Sequence, residues 1–195
     1  MLRGLSVVAG AISRLNWLVG QIFSWLALGI VLVCFSVVVL RYVFATSFVW
    51  LQDLYIWLNG AMFTAVAAFA LLRDDHVRVD IFYRPATMRT RAIVDLIGTI
   101  LFLLPFCWIV YIYSMPFVLR AWSYFEASSN VGGMPGLFIL KSFIIAMVVL
   151  IALQGIAMIC RSILVLAGRT DLVPPMMAYP ETQAHPAAQI AEGLN

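Results

Sequence analysis

The chain has 195 residues, of which 64% are hydrophobic and 11% charged, with a formal net charge of +3. A soluble domain is about 45–50% apolar and about 25% charged. There is too little polar surface to cover a soluble core, so a soluble enzyme and a disordered chain are excluded and an integral membrane protein is expected.

The charged residues divide the chain into four apolar runs. Between Arg14 and Arg41 lie 26 uncharged residues; Leu54–Leu72 gives 19, Leu96–Leu119 gives 24 and Ser142–Cys160 gives 19. At about 1.5 Å per residue each run can cross a hydrocarbon core of about 30 Å. The expected fold is an all-α integral membrane protein with four transmembrane helices and short interfacial segments. The runs are apolar on all sides, as in Ile30-Val31-Leu32-Val33-Cys34-Phe35, whereas barrel strands alternate. The first run is too long for a signal-peptide core and is expected to remain as an anchor.

Before it, Leu5, Val8, Ile12 and Leu15 mark one face of a helix. That helix either lies in the membrane interface or extends the first span. The second loop, Arg73 to Asp95, is the most charged segment. Its alternating Val77, Val79 and Ile81 fit a short interfacial strand or turn, anchored by Phe82 and Tyr83; Thr87 is placed to cap the third helix. In the third span, Pro105 and Pro116 predict kinks. The third loop carries Gly132, Gly133, Pro135 and Gly136 and reads as an irregular turn. The membrane domain is expected over 1–168. Residues 169–195, with Pro174, Pro175, Pro180 and Pro186, are expected to form a disordered cytoplasmic tail.

Lys and Arg number nine on the side of the termini and second loop, against three on the other. The positive-inside rule then puts both termini in the cytoplasm.

No span carries a central Asp, Glu, Lys or Arg, so the usual mark of an ion or proton pathway is missing. Both histidines, His76 and His185, lie outside the spans, which argues against a haem anchor. Cys34, Cys107 and Cys160 have no metal-ligand spacing. The sequence thus offers no catalytic, cofactor-binding or metal-binding set, no enzyme activity and no nucleic-acid partner. Asp53 and Asp95 are read as charges at helix starts, complementing the helix dipole. Asn59 and Gln154 are candidates for interhelical hydrogen bonds. Gly60, Thr64 and Ala68 form a small-residue ridge for close approach of another helix, in this chain or a partner. The absences together point to an accessory membrane subunit whose chemistry lies elsewhere.

The stretch Trp50-Leu51-Gln52-Asp53-Leu54-Tyr55-Ile56-Trp57-Leu58-Asn59-Gly60-Ala61 resembles the start of the second helix in small permease subunits of tripartite ATP-independent periplasmic (TRAP) transporters, the DctQ family. His76-Val77-Arg78-Val79-Asp80 is similar to that family's His-x-x-Val-Asp loop. Gly133, Pro135 and Lys141 match its third loop and the opening of its fourth helix, and Gln154 falls where a Gln is common. One departure is Gln52-Asp53, where the family has an acidic pair. The resemblance implies a small subunit of a sodium-coupled importer of carboxylate-type solutes in the bacterial inner membrane. Its partners would be a large elevator-type membrane subunit holding substrate and sodium, a periplasmic substrate-binding protein, and membrane lipids. This chain would scaffold the large subunit and help dock the binding protein. Candidate interface or structural residues are Trp50, Asp53, Trp57, Gly60, His76, Asp80, Lys141 and Gln154. Trp50, Asp53 and Trp57 share one helical face, suited to an edge against another protein or an ordered lipid. Asp80 is expected to pair with Arg78 or Arg84. The alternatives are an anchor or scaffold subunit of another inner-membrane complex, such as a redox assembly, and a self-sufficient small exporter.

Overall fold

The computed structural model describes residues 2–73, 83 and 86–179. The described residues contain no strand and six α-helices: α1 (Leu2–Ser24), α2 (Leu26–Tyr42), α3 (Val49–Leu72), α4 (Met88–Gly98), α5 (Leu104–Ser123) and α6 (Leu137–Leu166). A five-residue π segment, Thr99–Leu103, joins α4 to α5. Four continuous rods, Leu2–Tyr42, Val49–Leu72, Met88–Ser123 and Leu137–Leu166, are long and apolar enough to cross a membrane. This is the four-span, all-helical class expected.

The first rod has 41 residues. At about 1.5 Å each it is twice as long as the hydrocarbon is thick. It is broken only at Trp25, across which Leu28 N–H still donates to the Trp25 carbonyl at 3.1 Å. The N-terminal segment therefore continues the first helix. Of its apolar face, Leu5 and Ile12 pack against the core, whereas Val8 and Leu15 stay exposed. Ala9, Ser13, Asn16 and Gly20 are buried, while Val8 and Leu15 are 45% exposed. Small side chains allow close approach, and Gly20 sits where any Cβ would strike the Phe69 ring. In contrast α2 buries no residue. It leans on α3, with Gly29 beside Leu58.

Helices α3 and α6 run parallel. Gly60 lies against Leu140, where a Cβ would be 2.8 Å from Leu140 Cδ1, and Thr64 Oγ1 donates to the Phe143 carbonyl at 3.3 Å. This register puts Leu72, the end of α3, level with residues near Ala152. The last four turns of α6 run on past it. There they meet α1, α4 and the segment 169–179, around a core of Ala9, Leu71, Leu72, Ala157, Met158, Cys160 and Met177.

Residues 169–179 belong to this layer rather than to a disordered tail. They form 3-10 turns at Thr170–Leu172 and Pro175–Met177; Met177 and Tyr179 are buried, and Ser6 Oγ donates to the Leu172 carbonyl at 2.5 Å. The structured part thus passes the expected boundary at 168.

Thr87 caps α4, its Oγ1 accepting from Thr90 N–H at 3.3 Å. The kink expected at Pro105 takes another form. Proline has no N–H, so the Leu101 carbonyl lacks its donor four residues on. The helix widens instead, and Leu104 N–H donates to the Thr99 carbonyl, five residues back. The wide turn packs on Gly155, where a Cβ would lie 3.0 Å from Leu103.

Candidate functional site

Polar side chains gather at three levels of the bundle. The first is the end where α3 and α6 begin. Asp53, the fifth residue of α3, is 8% exposed, and its Oδ2 accepts from Met134 N–H at 2.9 Å. The loop between α5 and α6 is folded for this contact. Ser128 N–H donates to the Met134 carbonyl at 3.1 Å, and Gly133 N–H to the Asn130 carbonyl at 3.0 Å. A Cβ on Gly133 would lie 2.5 Å from both Asp53 Oδ2 and Ser128 Oγ, so any other residue there would have to displace one of them. Gly136, at φ +90°, turns the chain into α6, with the Trp57 ring 3.4 Å from where its Cβ would stand. Lys141 closes the other side of the loop. It pairs with Glu126 at 2.5 Å and lies 4.0 Å from the Phe117 ring centroid. Trp122 Nε1 donates to Ser142 Oγ at 2.9 Å, fastening α5 to α6.

The expected aromatic and acidic edge is thus divided. Asp53 and Trp57 face this chain's own loop, and Trp50 stays 48% exposed beside Phe48. Gln52, at the departure from the acidic pair, donates to Ser47 Oγ at 3.0 Å within the first loop. Gly60 gives its close approach to α6 of the same chain.

The second level is the Leu72 boundary. Gln154, fully buried, accepts at Oε1 from Asn16 Nδ2 at 2.8 Å, an interhelical bond between α1 and α6. Asn59 makes no such bond among the described residues.

The third level lies beyond α3. Asp95 is the eighth residue of α4, not a helix start. Its Oδ2 receives Arg161 Nη2 at 2.6 Å, Tyr83 Oη at 2.8 Å and Tyr179 Oη at 2.8 Å. The Asp95 and Arg161 side chains are 6% and 2% exposed. The guanidinium also stacks 4.2 Å from the Tyr179 ring centroid. Burial pushes the Tyr179 hydroxyl well above its ordinary range, against the opposing pull of Arg161. Arg91 Nε donates to the Ala86 carbonyl at 3.0 Å and lies over the Tyr83 ring. One carboxylate therefore gathers α4, α6 and the C-terminal segment.

Reading each run separately misses this cluster. Asp95 precedes the third run and Arg161 follows the fourth, and consecutive spans bring those two positions to one end. That pairing of opposite charges was the available signal. His76, Asp80, Arg78 and Arg84 lie outside the described residues, as does the strand or turn expected at Val77, Val79 and Ile81.

None of these clusters pairs a nucleophile with a base, and no group of three or more His, Cys, Asp or Glu could hold a metal among the described residues. What they do is fasten helices. The family model for "Tripartite ATP-independent periplasmic transporters, DctQ component" matches residues 30–165. The chain belongs to this family. Comparisons with curated proteins and with solved structures found no match. The DctQ match takes in Asp53, the Lys141 pair, Asp95, Arg161 and Gln154. Asn16 and Tyr179, which complete two of the three clusters, fall outside it. DctQ proteins are components of transporters, so this chain is a multi-pass membrane component of a tripartite system.

Proposed function

We propose that this chain is the stationary scaffold of a sodium-driven importer of carboxylate-bearing solutes in the bacterial inner membrane. It braces the large elevator-type subunit, which holds substrate and sodium. With both termini cytoplasmic, its Asp53-anchored loop faces the periplasm and contributes to the surface on which the substrate-binding protein docks. The family match across the spans carries this reading. Three further features support it. The apolar runs hold no central ionisable residue with which to bind or relay an ion. Both ends are fastened by buried carboxylates, as a stationary element requires. The exposed loop is tied to the bundle by hydrogen bonds from Ser128 to Met134 and from Met134 to Asp53.

The test is reconstitution in proteoliposomes, with a panel of radiolabelled mono- and dicarboxylates. Uptake is expected only with this chain, the large subunit and the binding protein together, under an inward sodium gradient. Uptake by this chain alone, or uptake indifferent to sodium, would refute the proposal.

A further inference from the structure

Helix α3 is packed in two directions, towards α6 and towards the α1–α2 rod, and among the described residues one direction is left open. Gly60 and Thr64 meet α6, Leu58 meets Gly29 of α2, and Phe69 meets Gly20 of α1. The remaining direction carries Ile56, Asn59 and Phe63, spaced by three and four residues and so on one face. Ile56 is 48% and Phe63 64% exposed, and Asn59 is exposed between them. Asn59 has no side-chain hydrogen bond among the described residues. It stands six residues in from Asp53, about 9 Å along the helix and well inside the span.

A carboxamide carries two donors and two acceptor lone pairs. Acyl chains satisfy neither, and water is scarce at that depth. Single exposed apolar residues are ordinary on a membrane helix; an exposed amide between two of them is not. The polarity selects the occupant, because only protein can meet it at this depth. We propose that the Ile56–Asn59–Phe63 face seats a membrane-spanning helix of the large transporter subunit, which presents a hydrogen-bonding side chain or an unpaired backbone carbonyl level with Asn59. The inference rests on the scaffold reading above and adds the face through which the scaffold is joined.

The test uses the complex purified in mild detergent from cells expressing this chain with the large subunit. Cysteines are placed singly at Ile56, Phe63 and Tyr113 in a background with Cys34, Cys107 and Cys160 replaced by Ala. Tyr113, on α5, is 80% exposed and serves as the comparison face. Each is labelled with a benzophenone maleimide and irradiated. Cross-links to the large subunit are expected from positions 56 and 63 and not from 113. Separately, Asn59→Leu should lower recovery of the large subunit several-fold, while Asn59→Gln should retain most of it. Folding of the Leu variant is checked by its melting temperature, which an exposed position should leave unchanged. Cross-links from 113 alone would overturn this inference and leave the scaffold reading intact. So would dimers of this chain linked through 56 or 63, or full recovery with Asn59→Leu. Failure of the wild-type chain to recover any large subunit would instead count against the scaffold reading itself.

Discussion

Asp95 Oδ2 accepts from three side chains on separate segments, and this concentrates risk in one atom. Removing one member of a buried ion pair leaves the other charge desolvated. That typically costs about 3–5 kcal/mol, whereas replacing both by apolar groups is often nearly neutral. Arg161→Met should therefore lower the thermal unfolding midpoint in detergent markedly. Adding Asp95→Leu should recover part of the loss, short of wild type because Tyr83 and Tyr179 lose their acceptor. If the double variant were less stable than Arg161→Met, the buried charge would not be the source of the damage. Tyr179 adds a pH dependence of definite sign. Its hydroxyl titrates above the ordinary value when folded, since burial opposes the phenolate. The unfolded group ionises near pH 10 and the folded one only higher. Its contribution is complete below about pH 10 and declines as pH rises beyond it. Protease resistance of the 169–179 segment should fall between about pH 10 and 12, and Tyr179→Phe should flatten that slope.

The π segment governs how α4 meets α6. It holds one residue more than a regular helix would, so it sets the rotation of Asp95 relative to the α5 face that packs on α6. Deleting one residue from a π turn restores an α-helix with both flanks in their old directions. Deleting one from a regular helix rotates the flanks by about 100°. Deletion of Leu101 combined with Pro105→Ala should therefore keep the Asp95–Arg161 pair and near-wild-type stability. Deletion of Ile109, in regular α5, should break the α5–α6 seam and lower recovery of folded protein; equal outcomes for the two would remove the π segment from this role. The proline was visible in the sequence, but its consequence was not, because a missing donor can be met by a kink or by a wider turn. The limit is general for this chain. Run lengths fixed the spans, and Thr87 marked its cap. Gly60 and Thr64 showed which face of α3 is approached, but spacing names a face and never the neighbour. On the N-terminal helix hydrophobicity picks out Leu5 and Ile12, which pack on the core, together with Val8 and Leu15, which do not; the closest packing goes to Ala9, Ser13 and Gly20. Pro174 and Pro175 lie in a stretch expected to be disordered, yet they open a short 3-10 turn that brings Met177 and Tyr179 into the bundle.

The bundle is longer than a bilayer is thick, and the excess is all at one end. From Asp53 to Leu72 the helix runs about 29 Å, the thickness of a hydrocarbon core; beyond Leu72, α6, α4 and the first part of α1 continue as a layer bound by Gln154–Asn16 and Asp95–Arg161. The polar side chains of that layer find partners inside the protein, Gln154 with Asn16 and Asp95 with Arg161. The layer also holds Arg3, Arg14, Arg73, Arg89, Arg91, Arg161 and Arg169, while the opposite end has Arg41, Arg120 and Lys141. Short basic segments beside spans are retained on the cytoplasmic side, so the thick end should face the cytoplasm. Arg89 opens α4 at that end, and Val131, 97% exposed, tips the loop at the other. Single cysteines at these positions, in the background without native cysteines, should react with an impermeant maleimide from opposite sides of the membrane. In intact spheroplasts Val131→Cys should label and Arg89→Cys should not; in inverted vesicles the pattern should reverse. The opposite pattern would put the Asp53-anchored loop in the cytoplasm, where no periplasmic binding protein could reach it. The same experiment thus bears on the docking role of that loop as well as on orientation.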